Sequence, residues 1–333
     1  MQGMELSRGY YEAYGEAMIR EQFPELEGLI AIGLCGRGSE CFGYDDEISQ
    51  DHNFEPKFMM FIPGEDIIDT RAEFQLSRAY AKLPKEFEGM QREPVQSVGR
   101  PRHGVLRMDD WWKYAIGIDN LSARVGGLAA ASSPLTWREW FGIPEYALAE
   151  ATNGEIFRDD LGVFTNIRKY FRHYPADIRK KKLAGYLLMM QQTGDYNYKR
   201  LLGHGEPAAA QLAITEFAKA TMHCAFLIND RYMPYYKWAF RSMRALAMLA
   251  PLSEQLEFLL TTPNDPETAA RKIQVIDEIQ KAVWMVTILR GFQGQRNQLK
   301  PDSPVNLEHL AYAVNDAVDD GELRNLHIFA GVE

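Results

Sequence analysis

The chain predicts an α+β fold, a small sheet with flanking helices followed by an all-helical half. Three observations predict it. The apolar runs at residues 29–34 and 58–62 have the length of buried strands and are bounded by turn residues. A shorter run at 104–108, Gly-Val-Leu-Arg-Met, supplies a third strand. From Leu135 onward the apolar residues recur at helical spacing, with Pro and Gly at the joints.

Leu6, Tyr10, Tyr14, Met18 and Ile19 place a helix over 4–22, and Pro24 and Gly28 punctuate the entry into the first strand. Gly36 and Gly38 then turn the chain sharply, with Ser39 where a helix starts. The second strand opens on Asp51-His52-Asn53, Pro63-Gly64 turns the chain, and residues 72–83 form a helix closed by Pro84. Residues 85–102 are polar and read as a loop. After the third strand, Asp109 and Asp110 cap a helix that carries Trp111, Trp112 and Tyr114. Ser132-Ser133-Pro134 breaks the pattern and divides the chain into domains at 1–133 and 134–333. Beyond it, Pro144 begins a short amphipathic run and 154–160 form a small hairpin or loop. Helices follow at about 160–173, 176–193, 207–230, 234–249, 266–290 and 306–319. Ile273, Ile276, Ile279, Val283 and Ile288 make a core stripe.

With 333 residues and 46% hydrophobic content, the chain is long enough for two domains with real cores. A formal net charge of −9 argues against a general nucleic-acid binder, whose surface carries a basic face. The run Arg179-Lys180-Lys181-Lys182 reads as a solvated helix face. Cys35, Cys41 and Cys224 match no disulfide or zinc spacing. Residues 1–11 lack the basic and apolar blocks of a leader, and no apolar stretch reaches membrane-spanning length. The expectation is a cytoplasmic protein with no membrane partner.

The informative stretch is GRGSECFGYDDEISQDHNFEP at residues 36–56. A Gly-Ser turn after a buried strand lets backbone N–H groups and a hydroxyl approach an anion closely. In a strand that opens at residue 51, positions 51, 53 and 55 share a face. Asp51, Asn53 and Glu55 then aim oxygens from one edge, a layout for a nucleoside triphosphate and its metal. Asp45, Asp46 and Glu47 read as a solvated turn, and His52, on the other face, as a structural residue.

The Gly38-Ser39 turn, the eleven-residue gap at 40–50 and the Asp-x-Asp-like opening of the next strand resemble the nucleotidyltransferase fold of DNA polymerase β and the aminoglycoside nucleotidyltransferases. The fuller string from Gly38 through Gly43-Tyr44-Asp45-Asp46 to Asp51-His52 is similar to one bacterial branch of that superfamily. That branch usually reads Asp-His-Asp, where this chain has Asn53. The resemblance implies a nucleotidyltransferase-type mixed sheet with flanking helices, followed by an all-helical domain. It implies Mg2+ as cofactor and ATP or another NTP as substrate. The reaction it implies moves an NMP group to a hydroxyl or similar nucleophile on a small molecule or protein. Gly38 and Ser39 would hold the β- and γ-phosphates, and Asp51 would ligate both metal ions.

Asn53 offers a metal one neutral oxygen and no charge, so the ion nearest the attacking oxygen is expected to bind weakly. Glu55 and Asp109 are the candidate substitutes, and the general base is unassigned. A nucleotide-binding or regulatory protein without turnover, for example a toxin-neutralising partner, is the alternative. An RNA acceptor would require a basic stripe that the sequence does not show clearly.

A second string, Arg231-Tyr232-Met233-Pro234-Tyr235-Tyr236-Lys237-Trp238, interleaves basic and aromatic residues. It reads either as a helix joint with Pro234 in a first turn or as a ligand-binding segment. The resemblance implies that Lys237 reaches the triphosphate, a task suited to a flexible point charge. Arg231 would contact the same group, and Tyr235 or Trp238 would stack on a base. A third string ends a long helix at residues 192–200. There Gly194 marks a kink or a close approach, and Tyr196, Asn197 and Arg200 are either acceptor-binding groups or a plain exposed helix end.

Overall fold

The computed structural model describes residues 2–48, 54–94, 103–127, 133–294 and 298–333. Apolar residues at helical spacing wind the first segment into α1 (Gly3–Tyr10), a π-helical turn (Tyr11–Gly15) and α2 (Glu16–Gln22). Then come β1 (Ala31–Leu34), α3 (Ser39–Phe42), β2 (Met59–Ile62) and α4 (Thr70–Lys82). A two-stranded ribbon of β3 (Glu86–Phe87) and β4 (Met90–Gln91) precedes β5 (Gly104–Arg107). Five elements complete this part: α5 (Met108–Ile116), α6 (Leu121–Arg124), α7 (Trp137–Gly142), α8 (Glu145–Thr152) and β6 (Glu155–Arg158). Helix α9 (Val163–Tyr170) closes it.

Four strands form one mixed sheet in the order β5-β2-β1-β6. Strand β1 is antiparallel to both neighbours, and β2 is parallel to β5. Alternate residues of β2 face opposite ways. Met60 and Ile62 join Tyr10, Ile19, Leu76 and Tyr80 on one side. On the other, Phe61 stacks on Phe164 with ring centroids 4.1 Å apart and meets Trp111 edge-on at 5.3 Å. A strand covered on both faces has no polar position, which explains the unbroken apolar run.

Four expectations are corrected here. Among the described residues β2 begins at Met59, after a bend at Glu55-Pro56, so the apolar strand does not reach back to Glu55; Asp51 lies outside the described residues. Residues 85–102 contain the β3–β4 ribbon rather than loop alone. Residues 155–158 are a sheet strand, paired with β1 through Gly33↔Ile156 and Leu34↔Glu155. Asp109 and Asp110 lie inside the first turn of α5, whose N-cap is Arg107.

The chain divides into compact units Met1–Arg172 and His173–Glu333, not at 133/134. Residues 134–172 belong with the first unit because β6 pairs with β1 and Phe164 packs on Phe61.

The second unit is all helical: α10 (Ala176–Met190), a π-helical stretch (Gln191–Asn197), α11 (Tyr198–Gly203), α12 (Pro207–Ile228), α13 (Tyr236–Met243), α14 (Leu252–Thr261), α15 (Pro266–Leu289), α16 (Leu307–Asp316) and α17 (Gly321–Asn325). Helix α12 is apolar nearly all round and forms the unit's core. Ile276, Ile279, Val283 and Ile288 of α15 are buried as expected, whereas Ile273 is only half-buried. Tyr186 stacks on His223 at 4.2 Å.

The basic run on α10 is not a solvated face. Lys181 and Lys182 are fully buried. Lys181 Nζ donates to Asn315 Oδ1 (2.7 Å) and to the carbonyls of Leu326 (2.8 Å) and Arg324 (3.2 Å). Lys182 Nζ donates to Glu333 Oε1 (2.7 Å) and Gly331 O (3.0 Å). Gly194 marks a close approach, but to protein: an added Cβ would lie 2.6 Å from the Phe217 ring. No helix among the described residues is long and apolar enough to cross a membrane.

Candidate functional site: one end of the mixed sheet

Antiparallel pairing of β1 with β2 sets Gly33 beside Met59, and the parallel β2–β5 pair sets Met59 beside Gly104. The end of β1, the entry to β2 and the start of β5 therefore share one end of the sheet. Gly38 and Ser39 lie there, Gly38 as the N-cap of α3 and Ser39 as its first residue.

The turn before α3 is clamped from the segment that follows α8. Gly36 N–H donates to Asn153 Oδ1 at 2.9 Å, and Asn153 Nδ2 donates back to Gly36 O at 2.7 Å. Gly36 has φ +121°, a conformation that favours glycine. Gly154 N–H donates to Cys41 O at 2.8 Å. Arg37 pairs with Glu150 at 3.0 Å. Among the described residues, the N–H groups of Arg37, Gly38 and Ser39 have no acceptor. Cys35 and Cys41 beneath the turn are buried free thiols, and burial pushes the Cys35 thiol up to about 12.

The chain entering β2 brings a buried polar network to the same end. Lys57 Nζ lies 3.3 Å from Glu40 Oε1 and 3.8 Å from Glu55 Oε1. Glu55 Oε2 accepts the Glu93 N–H at 2.6 Å, and His103 Nε2 lies 3.8 Å from Glu55 Oε1. Tyr80 Oη accepts the Phe58 N–H (3.4 Å) and shares a 3.0 Å hydrogen bond with His103 Nδ1. Burial, then the Lys57 and Arg92 charges, depress the His103 pKa to about 4, so the ring is neutral at pH 7. Burial pushes the Glu55 carboxyl up, partly offset by Lys57.

These contacts bear on the predicted ligands. Asp51, His52 and Asn53 lie outside the described residues. Glu55 is 6% exposed and directs both oxygens at protein donors, so it is not arranged as a spare metal ligand. Asp109 follows the far end of β5, beyond the Ile62↔Arg107 pair, and accepts the Ser122 N–H at 2.9 Å. It stands about 10 Å or more along the strands from the turn end, given the rise per residue. Among the described residues no three His, Cys, Asp or Glu side chains converge as a metal site. Asp45 is not simply solvated: its carboxylate accepts the Gly3 N–H at 2.7 Å, at the start of α1.

Arg231, Tyr235 and Lys237 belong to the second unit and are exposed. Helix α13 begins at Tyr236, so Pro234 precedes it rather than occupying its first turn. Lys237 Nζ sits 4.8 Å from the Trp238 ring centroid, and the Tyr235 and Tyr236 rings lie 4.3 Å apart. Tyr232 meets Tyr174 edge-on at 4.8 Å. Tyr196 is exposed, with the Arg200 guanidinium 5.0 Å from its ring.

Lys57, Asn153 and Arg168 were not singled out from the sequence. Asn153-Gly154 carries a turn signal, but a turn signal does not say which distant backbone an amide will grip.

A family model described as a domain of unknown function (DUF4037) matches residues 140–239. The match includes Asn153, Gly154, Arg168 and the 231–238 string, and not Gly38, Ser39, Asp51 or Asn53. No curated protein and no solved structure matches the chain.

Proposed function

We propose that the chain is a metal-dependent nucleotidyltransferase that moves an NMP group from an NTP, ATP in the first instance, to a hydroxyl or similar nucleophile on a small molecule or protein. The observation that carries this reading is the Lys57–Glu40 ion pair, which ties the helix after the Gly-Ser turn to the chain entering β2. The turn offers three consecutive N–H groups without an acceptor among the described residues, a concavity suited to phosphate oxygens. In this reading Gly38 and Ser39 hold and orient the β- and γ-phosphates. Asp51 and Asn53 are the residues that would hold Mg2+, which when bound neutralises the triphosphate and makes the α-phosphorus electrophilic. The exposure of Arg231, Tyr235 and Lys237 suits a segment that meets a phosphate chain and a base.

The state of Glu55 favours a second reading. Held by Lys57 and the Glu93 amide, it does not make up the charge missing at Asn53. A nucleotide-binding or regulatory protein without turnover follows from that. Release of labelled pyrophosphate from NTPs, with candidate acceptors, separates the two. The enzyme reading expects turnover that rises in Asn53→Asp. Nucleotide binding without turnover in both forms supports the regulatory reading.

A further inference from the structure

The turn at residues 36–39 owes its shape to a side chain far away in the sequence. Asn153 meets Gly36 with both halves of its amide, accepting at 2.9 Å and donating at 2.7 Å. Asparagine alone combines a donor and an acceptor in one plane on so short a stem: aspartate lacks the donor, and glutamine is a methylene longer. The two bonds fix the peptide planes on either side of Gly36, just before the Arg37, Gly38 and Ser39 amides.

Asn153 is itself held. The Arg168 guanidinium donates to the carbonyls of Asn153 (2.7 Å), Thr152 (2.8 Å) and Gly154 (3.3 Å), at the end of α8. No carboxylate among the described residues lies within ion-pair distance of Arg168. Carbonyl dipoles and the charge of the Glu155 carboxylate offset its own, and burial depresses its pKa. Arg168 thus braces Asn153 behind a turn whose Arg37, Gly38 and Ser39 amides lack acceptors among the described residues, and consecutive amides of that kind suit phosphate oxygens.

We propose that Asn153, backed by Arg168, is the positioning residue that sets the turn at 36–39 to receive the polyphosphate chain of the nucleotide. This rests on the nucleotide reading above. The effect expected of a misplaced turn is about tenfold in affinity, which corresponds to about 1.4 kcal/mol.

The test is calorimetric titration of wild type, Asn153→Ser and Asn153→Asp with ATP·Mg2+, with tripolyphosphate·Mg2+ and with adenosine. Thermal unfolding of each protein is followed alongside. The expected result is about tenfold weaker binding of ATP and tripolyphosphate by Asn153→Ser, a larger loss in Asn153→Asp, and unchanged affinity for adenosine. A purely structural role would lower the unfolding temperature and weaken all three ligands alike, which overturns the proposal. Wild-type binding with unchanged affinity in both variants overturns this proposal and leaves the nucleotide reading intact. Absence of ATP and tripolyphosphate binding by the wild type overturns both. If either variant fails to fold, Arg168→Lys takes its place. This substitution keeps the charge but removes the Nη2 group that donates to three carbonyls, and it is expected to show the same phosphate-selective loss.

Discussion

Lys57 and Glu40 form a 3.3 Å ion pair whose side chains are only 4% and 12% exposed. Glu55 stands on the other side of the same ammonium at 3.8 Å. One cation thus serves two largely desolvated carboxylates, and removing it would take the counter-charge from both, leaving Glu55 with the Glu93 N–H. Lys57→Met is expected to lower stability by about 3 kcal/mol, as for other broken buried pairs, with part recovered in Lys57→Met/Glu40→Gln. Urea denaturation of the two variants checks this.

Acid should destabilise the protein through His103. Its pKa is depressed from 6.5 to about 4 in the fold, so the unfolded chain binds more protons between those values. The contribution is complete above pH 6.5 and is lost as pH falls towards 4, amounting to about 3 kcal/mol at most. Glu55 acts in the opposite sense: its raised pKa favours the fold in acid, and that benefit fades as pH rises from 4.5 through the folded value. The difference between wild type and His103→Asn isolates the histidine. Unfolding free energy measured from pH 4 to pH 7 should fall more steeply on the acid side in the wild type.

Gly154 has φ +64°, and a Cβ there would lie 2.1 Å from Leu34 O. Backbone cannot yield as a side-chain tip can. Gly154→Ala should cost about 3 kcal/mol or more, read as a lower denaturation midpoint.

The lysines of α10 predict a contrast. Lys181 holds Asn315 Oδ1 and two carbonyls in a fully buried site, so Lys181→Met leaves Asn315 Oδ1 and Leu326 O unpaired, while Arg324 O keeps Asn315 Nδ2, and should cost about 2–3 kcal/mol. Lys219 meets Glu216 at 3.5 Å with both side chains about half exposed. Lys219→Met should change stability by no more than about 0.5 kcal/mol. Parallel denaturation of the two variants decides it.

Local signals in the sequence reached the strands at 31–34, 59–62 and 104–107, the helix start at Ser39 and the buried stripe of α15. Each is written in neighbouring residues as an apolar run, a glycine turn or a helical period. The features missed depend on distant partners. Glu155-Ile156-Phe157-Arg158 is short and polar at both ends, and only pairing with β1 makes it a strand. Lys181 and Lys182 look solvated until residues 315–333 fold over them. Asn153 carries a turn signal whose partner, Gly36, lies 117 residues earlier. At the site, the Gly-Ser turn was legible as a helix entry. The period-two argument places Glu55 on a strand, whereas Glu55 lies at a bend and β2 begins at Met59.

The most direct test of the central claim is titration of ATP·Mg2+ into the wild type, Ser39→Ala and Asp51→Ala, followed by heat. The expected result is saturable one-to-one binding by the wild type, weakened about tenfold by Ser39→Ala and more by Asp51→Ala, with unfolding temperatures little changed. No heat in the wild type, or equal affinity in all three proteins, would contradict it.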